Sequence, residues 1–251
     1  MFLRCLSLLL VSTAAAAADL RVCAEPDNLP FSHVERSGFE NRIAALVAAE
    51  LGKDLVFEWQ PQRRAFVRKT FGAGLCDAWM GVPSAFERVL TTRPYYRSTY
   101  VFVYGKRPLR SFDDPSLASL RVGVQLPGND MAATPGGYAL AVKGAVQNVV
   151  GYTVYGEHPA AQRIVESIAR GELDAGVVWG PAAGFFARTK NLGVAAAHAP
   201  KELETMPFEF AISIGVKRGE GALRGELDAV LERRKADIDA ILDEYAVPRV
   251  P

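Results

Sequence analysis

The chain says two things twice, in the same order. LRVCAEPDN (Leu20 to Asn28) returns a hundred residues on as LRVGVQLPGND (Leu120 to Asp130). GLCDAWMGVPSAF (Gly74 to Phe86) returns as GELDAGVVWGPAAGF (Gly171 to Phe185). The first pair reads as a buried strand breaking into a Pro/Asn/Asp loop. The second reads as a helix stop, an aspartate, an apolar strand and a Gly/Pro loop. One such match is a coincidence of composition; two in the same order imply two lobes with one topology.

Between these landmarks the hydrophobic period alternates. Ile43, Leu46, Val47 and Leu51 recur at helical spacing, with Gly52 as the stop. Leu55, Phe57 and Trp59 alternate as a strand, and Phe66, Val67, Thr70 and Phe71 are helical again. Pro159 to Arg170 forms a helix with Ile164, Val165 and Ile168 on one side, ended by Gly171. Leu223 to Tyr245 reads as one or two amphipathic helices. Strand–helix alternation of this kind specifies a mainly parallel sheet covered by helices.

No Gly/Ser linker separates the halves, so tighter connections join them. Tyr100 to Val103 crosses from the first lobe to the second, and Phe208 to Val216 returns. Two crossing strands make a hinge. The expected architecture is an α/β clamshell: lobe 1 from 19–101 plus 210–251, and lobe 2 from 102–209. Ligands of open α/β sheets sit beyond the carboxyl ends of the strands, where the repeated loops lie.

Residues 1–18 read as a cleaved export signal. Arg4 supplies a positive start, Leu6 to Val11 an apolar run too short to span a bilayer, and Ala14 to Ala18 small residues for cleavage. An uncleaved anchor fits the alanine run less well. Cys5 precedes the apolar run, the wrong side for a lipid-modified cysteine. The net charge of +1 argues against a nucleic-acid binder, and losing Arg4 leaves the mature chain neutral. Export leaves Cys23 and Cys76, an even pair that suggests a disulfide. A reactive thiol or metal site is disfavoured, because no histidine lies close in sequence to either. His33, His158 and His198 are scattered, and no residue is assigned to metal.

The pattern resembles the periplasmic solute-binding protein superfamily, in its two-lobed (type 2) amino-acid-binding branch. GFEN at Gly38 to Asn41 resembles that family's Gly-Phe-Asp helix opening, and TTRPYYRSTYV its Pro-Tyr-Tyr lead into the hinge strand. RVCAEPDNLPFS, GFEN, CDAWMGVP, TTRPYYRSTYVFV, VGYTVYGE and VVWGPAAG together resemble a narrower group. These are the binding-protein-like accessory partners encoded with pyrroloquinoline-quinone (PQQ) methanol dehydrogenases, of calcium and lanthanide types. That resemblance implies a periplasmic protein, with no cofactor of its own, that assists a quinoprotein alcohol dehydrogenase; the lanthanide type is favoured.

Amino-acid binders hold a zwitterion with a Thr-rich loop, an arginine and an aspartate. Here the second-lobe loop is Leu126-Pro127-Gly128-Asn129, and the aspartate position falls on Trp179. A cleft lacking that pair would desolvate a zwitterion's charges without partners. The expected site is a wider cleft lined by Asn28, Pro30, Phe31, Glu40, Trp79, Phe86, Arg88, Arg93, Tyr95, Tyr96, Asn129, Asp130, Trp179 and Phe185. Its aromatics suit an apolar ligand or an inserted protein element.

Several of these residues have blander readings. Trp79 sits mid-strand and reads better as core, while Trp179 divides evenly between core and cleft. Phe31 is either a buried turn ring or cleft lining. Arg88, Arg93 and Arg97 bind an anion or are simply solvated. Arg63, Arg64, Arg68 and Lys69 read as a solvated helical face. Asp77 and Asp174 precede their strands and more naturally tie turns than bind ligand.

Three function classes remain. The first is a non-catalytic accessory protein. The second is a receptor that delivers a small solute to a membrane transporter. The third is an enzyme like the cyclohexadienyl dehydratases of this fold, with Glu25 or Glu40 as acid or base. No nucleophile elbow, zinc motif or phosphate loop supports the third.

Overall fold

A computed structural model describes residues 18–62, 65–84, 86–126, 133–153 and 157–251. Residues 1–17 of the expected export signal, the expected sites Asn129 and Asp130, and Arg63 and Arg64 of the basic face lie outside the described residues. In the first half, strand β1 (Asp19–Ala24) leads through the short pair β2 (Asp27–Asn28) and β3 (Ser32–His33) into helix α1 (Phe39–Glu50). Then come β4 (Asp54–Trp59), α2 (Phe66–Lys69), β5 (Ala78–Pro83), β6 (Leu90–Thr91) and the long β7 (Tyr96–Tyr104). The second half carries β8 (Val122–Leu126), α3 (Pro135–Val142), β9 (Val149–Thr153), α4 (Ala160–Ala169), β10 (Ala175–Trp179), α5 (Gly180–Ala187) and β11 (Gly193–Ala196). The chain returns through β12 (Glu209–Val216) and ends in α6 (Gly221–Arg233) and α7 (Lys235–Glu244).

The strands run β4-β1-β5-β12-β7-β10-β8-β9, with β6 on β12 and β11 on β7. β1 is parallel to β4 and β5, and β8 is parallel to β9 and β10. Among the described residues the antiparallel pairs of this sheet all involve β7 or β12: β7 pairs with β10, β11 and β12, and β12 also pairs with β5 and β6. β7 changes partners midway: Tyr96 to Thr99 pair with β12, and Tyr100 to Tyr104 pair with β10. It therefore belongs to both halves, and a rotation between them must be absorbed near Thr99.

The repeat has a physical basis at the strand ends away from the cleft. Arg21 forks onto Asp77 through Nε (3.1 Å) and Nη2 (2.6 Å), and donates from Nη1 to the Gly74 carbonyl (2.8 Å). Arg121 repeats the figure on Asp174 (3.1 and 2.9 Å) and the Gly171 carbonyl (2.8 Å). In each half the arginine N–H also donates to the aspartate, and the aspartate N–H donates back to the arginine carbonyl. The two aspartates thus tie the turn to the first strand, as their place ahead of the strands suggested. The hydrogen bonds and charge of Arg121 hold Asp174 below the usual carboxylate range. Burial opposes this at Asp77, but Arg21 outweighs it.

Each half buries its own core. Lobe 1 packs Phe39, Ile43, Leu227, Ile238 and Leu242 between α1, α6, α7 and the sheet. Lobe 2 packs Phe102, Leu109, Val122, Leu140 and Val177 on one face and Val103, Ile164, Val165 and Val178 on the other. Cys23 and Cys76 are bonded, with Cα atoms 5.5 Å apart, beside Phe66 and Phe71.

GPAAGF differs from the expectation of a Gly/Pro loop. It is helix α5, starting directly after β10, with Pro181 in its first turn. There proline's missing N–H would have no partner anyway. Helix α2 is a single turn.

Candidate functional site

The loop after β1 explains GFEN residue by residue. Phe39 N–H donates to the Pro30 carbonyl (2.8 Å) and Glu40 N–H to the Phe31 carbonyl (2.9 Å), satisfying donors that the first turn of α1 leaves unpaired. A Cβ on Gly38 would lie 2.1 Å from the Phe31 oxygen, so the approach requires glycine. Asn41 Oδ1 accepts from the backbone of Gly38 (3.2 Å) and His33 (3.0 Å). Phe31 is thereby held against Phe39 (centroids 5.4 Å) while touching the apolar clusters of both lobes. Pro30 is buried, and half-buried Asn28 closes the turn by accepting the Phe31 N–H (2.9 Å).

At the hinge, β10 ends in Trp179 and lays its ring against Tyr100 of β7 (5.3 Å) and Phe210 of β12 (5.7 Å). Tyr100 also meets Phe208 (6.1 Å) and Phe210 (6.4 Å) edge-on, the geometry aromatic pairs favour. Burial pushes the Tyr100 hydroxyl up to about 12. Gln125, at the end of β8, accepts the backbone N–H of Trp179 on its side-chain oxygen (3.1 Å). The cleft-facing ends of β8 and β10 thus carry an amide and an indole. Gln125, Tyr100 and Phe210 were not among the expected site residues. The last two stand inside the hinge strands, which the sequence marks without showing which side chains face the cleft.

Other expected lining residues lie elsewhere. Tyr95 and Tyr96 are 7% and 6% exposed, in the lobe-1 core against Phe39. Tyr95 Oη accepts the Gly81 N–H (3.1 Å). Glu40, 6% exposed, turns inward beside them. A Cβ on Gly81, at φ +74°, would lie 2.3 Å from Glu40 Oε1. Burial pushes the Glu40 carboxyl up to about 8, so it is protonated at neutral pH. Burial first, then Glu40, raises both tyrosine hydroxyls well above their ordinary values. A sealed carboxylic acid is a poor candidate for acid–base work on a cleft substrate.

Trp79 is also packed away from the cleft. It sits against Phe66 (4.7 Å) and Phe86 (6.0 Å) beside the disulfide, and its buried indole N–H has no partner among the described residues. Phe86 lines an open groove with Val89, Leu90 and Arg218 on lobe 1. Arg93 pairs with Glu232 (3.0 Å), and its N–H donates to Asp228 (2.7 Å), which fixes it on α6. Arg97 pairs with Glu209 (3.9 Å), and Arg88 is exposed. Phe185 stacks on Tyr245 of the C-terminal segment (5.6 Å, 18° between planes). Of the twelve expected lining residues that are described, then, the hinge and the lobe interface gather Phe31, Trp179 and Phe185. Among the described residues, no three His, Cys, Asp or Glu side chains converge as a metal site. None of the described helices is long and apolar enough to cross a membrane.

Two α/β lobes on crossing hinge strands define the class: a two-lobed solute-binding protein of the type 2 clamshell. The chain belongs to the bacterial extracellular solute-binding proteins, family 3, whose model matches residues 20–248. It is 32% identical to protein MoxJ of Methylorubrum extorquens, over 94% of this chain and 83% of the relative. It is 31% identical to protein MoxJ of Paracoccus denitrificans, over 98% and 94%. The crystal structure of the periplasmic binding protein XoxJ from Methylobacterium extorquens AM1 superposes with a TM-score of 0.77 at 34% identity. That match covers 92% of this chain and 99% of XoxJ.

Proposed function

We propose that this chain is a non-catalytic periplasmic accessory protein that associates with a PQQ-dependent methanol or alcohol dehydrogenase, the lanthanide type favoured, and helps to activate or assemble it. The observation that carries the reading is the hinge floor. Trp179, at the position where the sequence resemblance puts an amino-acid binder's ammonium-binding aspartate, meets Tyr100 and Phe210 there. Similarity to MoxJ and XoxJ over nearly the whole chain supports the same reading. An aromatic floor with a single amide suits an apolar element of a partner protein, inserted between lobes 19–101 plus 210–251 and 102–209. The partner change of β7 at Thr99 supports that division. The accessory protein acts by binding one state of the dehydrogenase better than another, for example the metal- and quinone-loaded state.

The test is calorimetric titration of the mature chain into purified methanol dehydrogenase from the same source, with and without metal and quinone, reading activity in the same samples. Saturable binding with an activity change is expected. Trp179→Ala should weaken it by at least tenfold, as loss of a buried aromatic anchor does. Absence of binding in every loading state would overturn the reading. A small solute that raised the thermal midpoint would then make the chain a transport receptor.

A further inference from the structure

The segment after α7 does more than end lobe 1. Tyr245 donates its hydroxyl to the Ser37 carbonyl (2.6 Å) and packs on Phe39 (5.8 Å), so it is rooted in lobe 1. Arg42 pairs with Glu244 and lies over the Tyr245 ring (5.8 Å). The same residues run along α5 of lobe 2. At the far end of that helix, Arg188 donates to the Glu244 carbonyl (3.0 Å) and lies over Phe185 (4.1 Å), which stacks on Tyr245. Midway, a Cβ on Gly184 would lie 2.0 Å from the Ala246 oxygen. At the hinge end, Pro248 lies beside Gly180, its carbonyl accepts from Ser98 Oγ (2.5 Å), and Val250 N–H donates to the Arg97 carbonyl (3.2 Å).

The geometry points to a C-terminal strap, residues 244–250, that locks the angle between the lobes so that the cleft presents a fixed opening rather than closing on a ligand. The lever arm supports this. The strap follows α5 from Gly180 to Arg188, about 12 Å at 1.5 Å per residue. A rotation about Thr99 that leaves the hinge end in place must separate the far end, breaking the Phe185–Tyr245 stack and the Arg188 bond together. Leu29 and Phe31 add a second contact between lobe 1 and the α4–α5 side of lobe 2. Gly180 and Gly184 are one turn apart: a Cβ on Gly184 would meet the strap's Ala246 oxygen, and one on Gly180 the Thr99 oxygen of β7 (2.5 Å), with Pro248 beside it (3.5 Å).

The strap stands on the fold alone, so a failure of dehydrogenase binding leaves it untouched. The test places spin labels at Ala49→Cys in α1 and Ala169→Cys in α4, both exposed, and reads the distance distribution between lobes. Cys23 and Cys76 are disulfide-bonded and do not take label. One narrow distance is expected in the labelled parent. Gly184→Ala should lift the strap and add a longer-distance population, and so should Phe185→Ala with Arg188→Ala, which removes the far-end stack and bond without placing anything in the path of the strap. Circular dichroism checks that each variant folds. A parent distribution already broad, or folded variants with the parent's single distance, overturns the proposal.

Discussion

Replacing Glu40 by glutamine should stabilise the protein, and by an amount that depends on pH in a defined direction. The carboxyl is almost wholly removed from solvent, and burial pushes it from 4.5 up to about 8. Between those values it is protonated in the folded chain and ionised in the unfolded one. Unfolding therefore releases a proton, and this group makes stability fall as pH rises. Each unit is worth about 1.4 kcal/mol, so the penalty is below about 1 kcal/mol at pH 5 and on the order of 4 kcal/mol at pH 8. Glutamine fills the same space and never ionises. Any loss it suffers by leaving an amide N–H unpaired is the same at both pH values. The gap between Glu40→Gln and the parent in urea denaturation should therefore shift by about 3 kcal/mol in the variant's favour from pH 5 to pH 8. An equal gap at both values would refute the reasoning, because it would mean that Glu40 titrates alike in the folded and unfolded chain.

Two further perturbations test the frame of lobe 1. Closing 53 residues, the Cys23–Cys76 bond should contribute about 4 kcal/mol in the chain-entropy model. Cys23→Ser with Cys76→Ser should lower the urea midpoint accordingly, and an unchanged midpoint would reject the estimate. Asp77→Ala removes the acceptor of the Arg21 fork and should cost about 1–3 kcal/mol. Because Asp77 titrates below its ordinary value, the part of its stabilisation that is linked to protons should be present above about pH 4 and fade as pH falls further. A parent–variant difference that grew on acidification would contradict that sign.

What the sequence makes legible here is what neighbours along the chain decide. The strand–helix alternation, the two crossing strands and the aspartate-tied turns follow from local period and turn chemistry. Each half repeats its tie because each half must fasten the same turn to the same strand. The failures are all decided at long range. TTRPYYRST reads as an aromatic, basic cleft mouth, yet Arg93 is taken up by Asp228 and Glu232 on α6, and Tyr95 and Tyr96 fill the core under α1. GPAAG reads as a loop because glycine and proline both disfavour helix interiors. It is a helix because Pro181 falls in the first turn, Gly180 admits β7 and Gly184 admits the C-terminal segment. Glu40 reads as an available carboxylate, since nothing local reveals that Gly81 lies over it.

The two halves also differ in where they have been free to change. Away from the cleft, Arg21–Asp77–Gly74 and Arg121–Asp174–Gly171 join the same three partners in each half. At the other ends of the same strands the likeness stops. β5 runs on through Gly81 and Pro83, while β10 breaks at Trp179 into α5. That break does two jobs with one element: it sets an indole on the hinge floor and lays a glycine-faced helix against the C-terminal segment. In a receptor that closes on a solute, those jobs would conflict, because a helix fastened to lobe 1 cannot swing with lobe 2. They agree only if the cleft is meant to stay at one width. A cleft of fixed width recognises by shape what is brought to it. The aromatic floor and the fastened helix therefore point the same way, toward a partner surface rather than an enclosed small molecule.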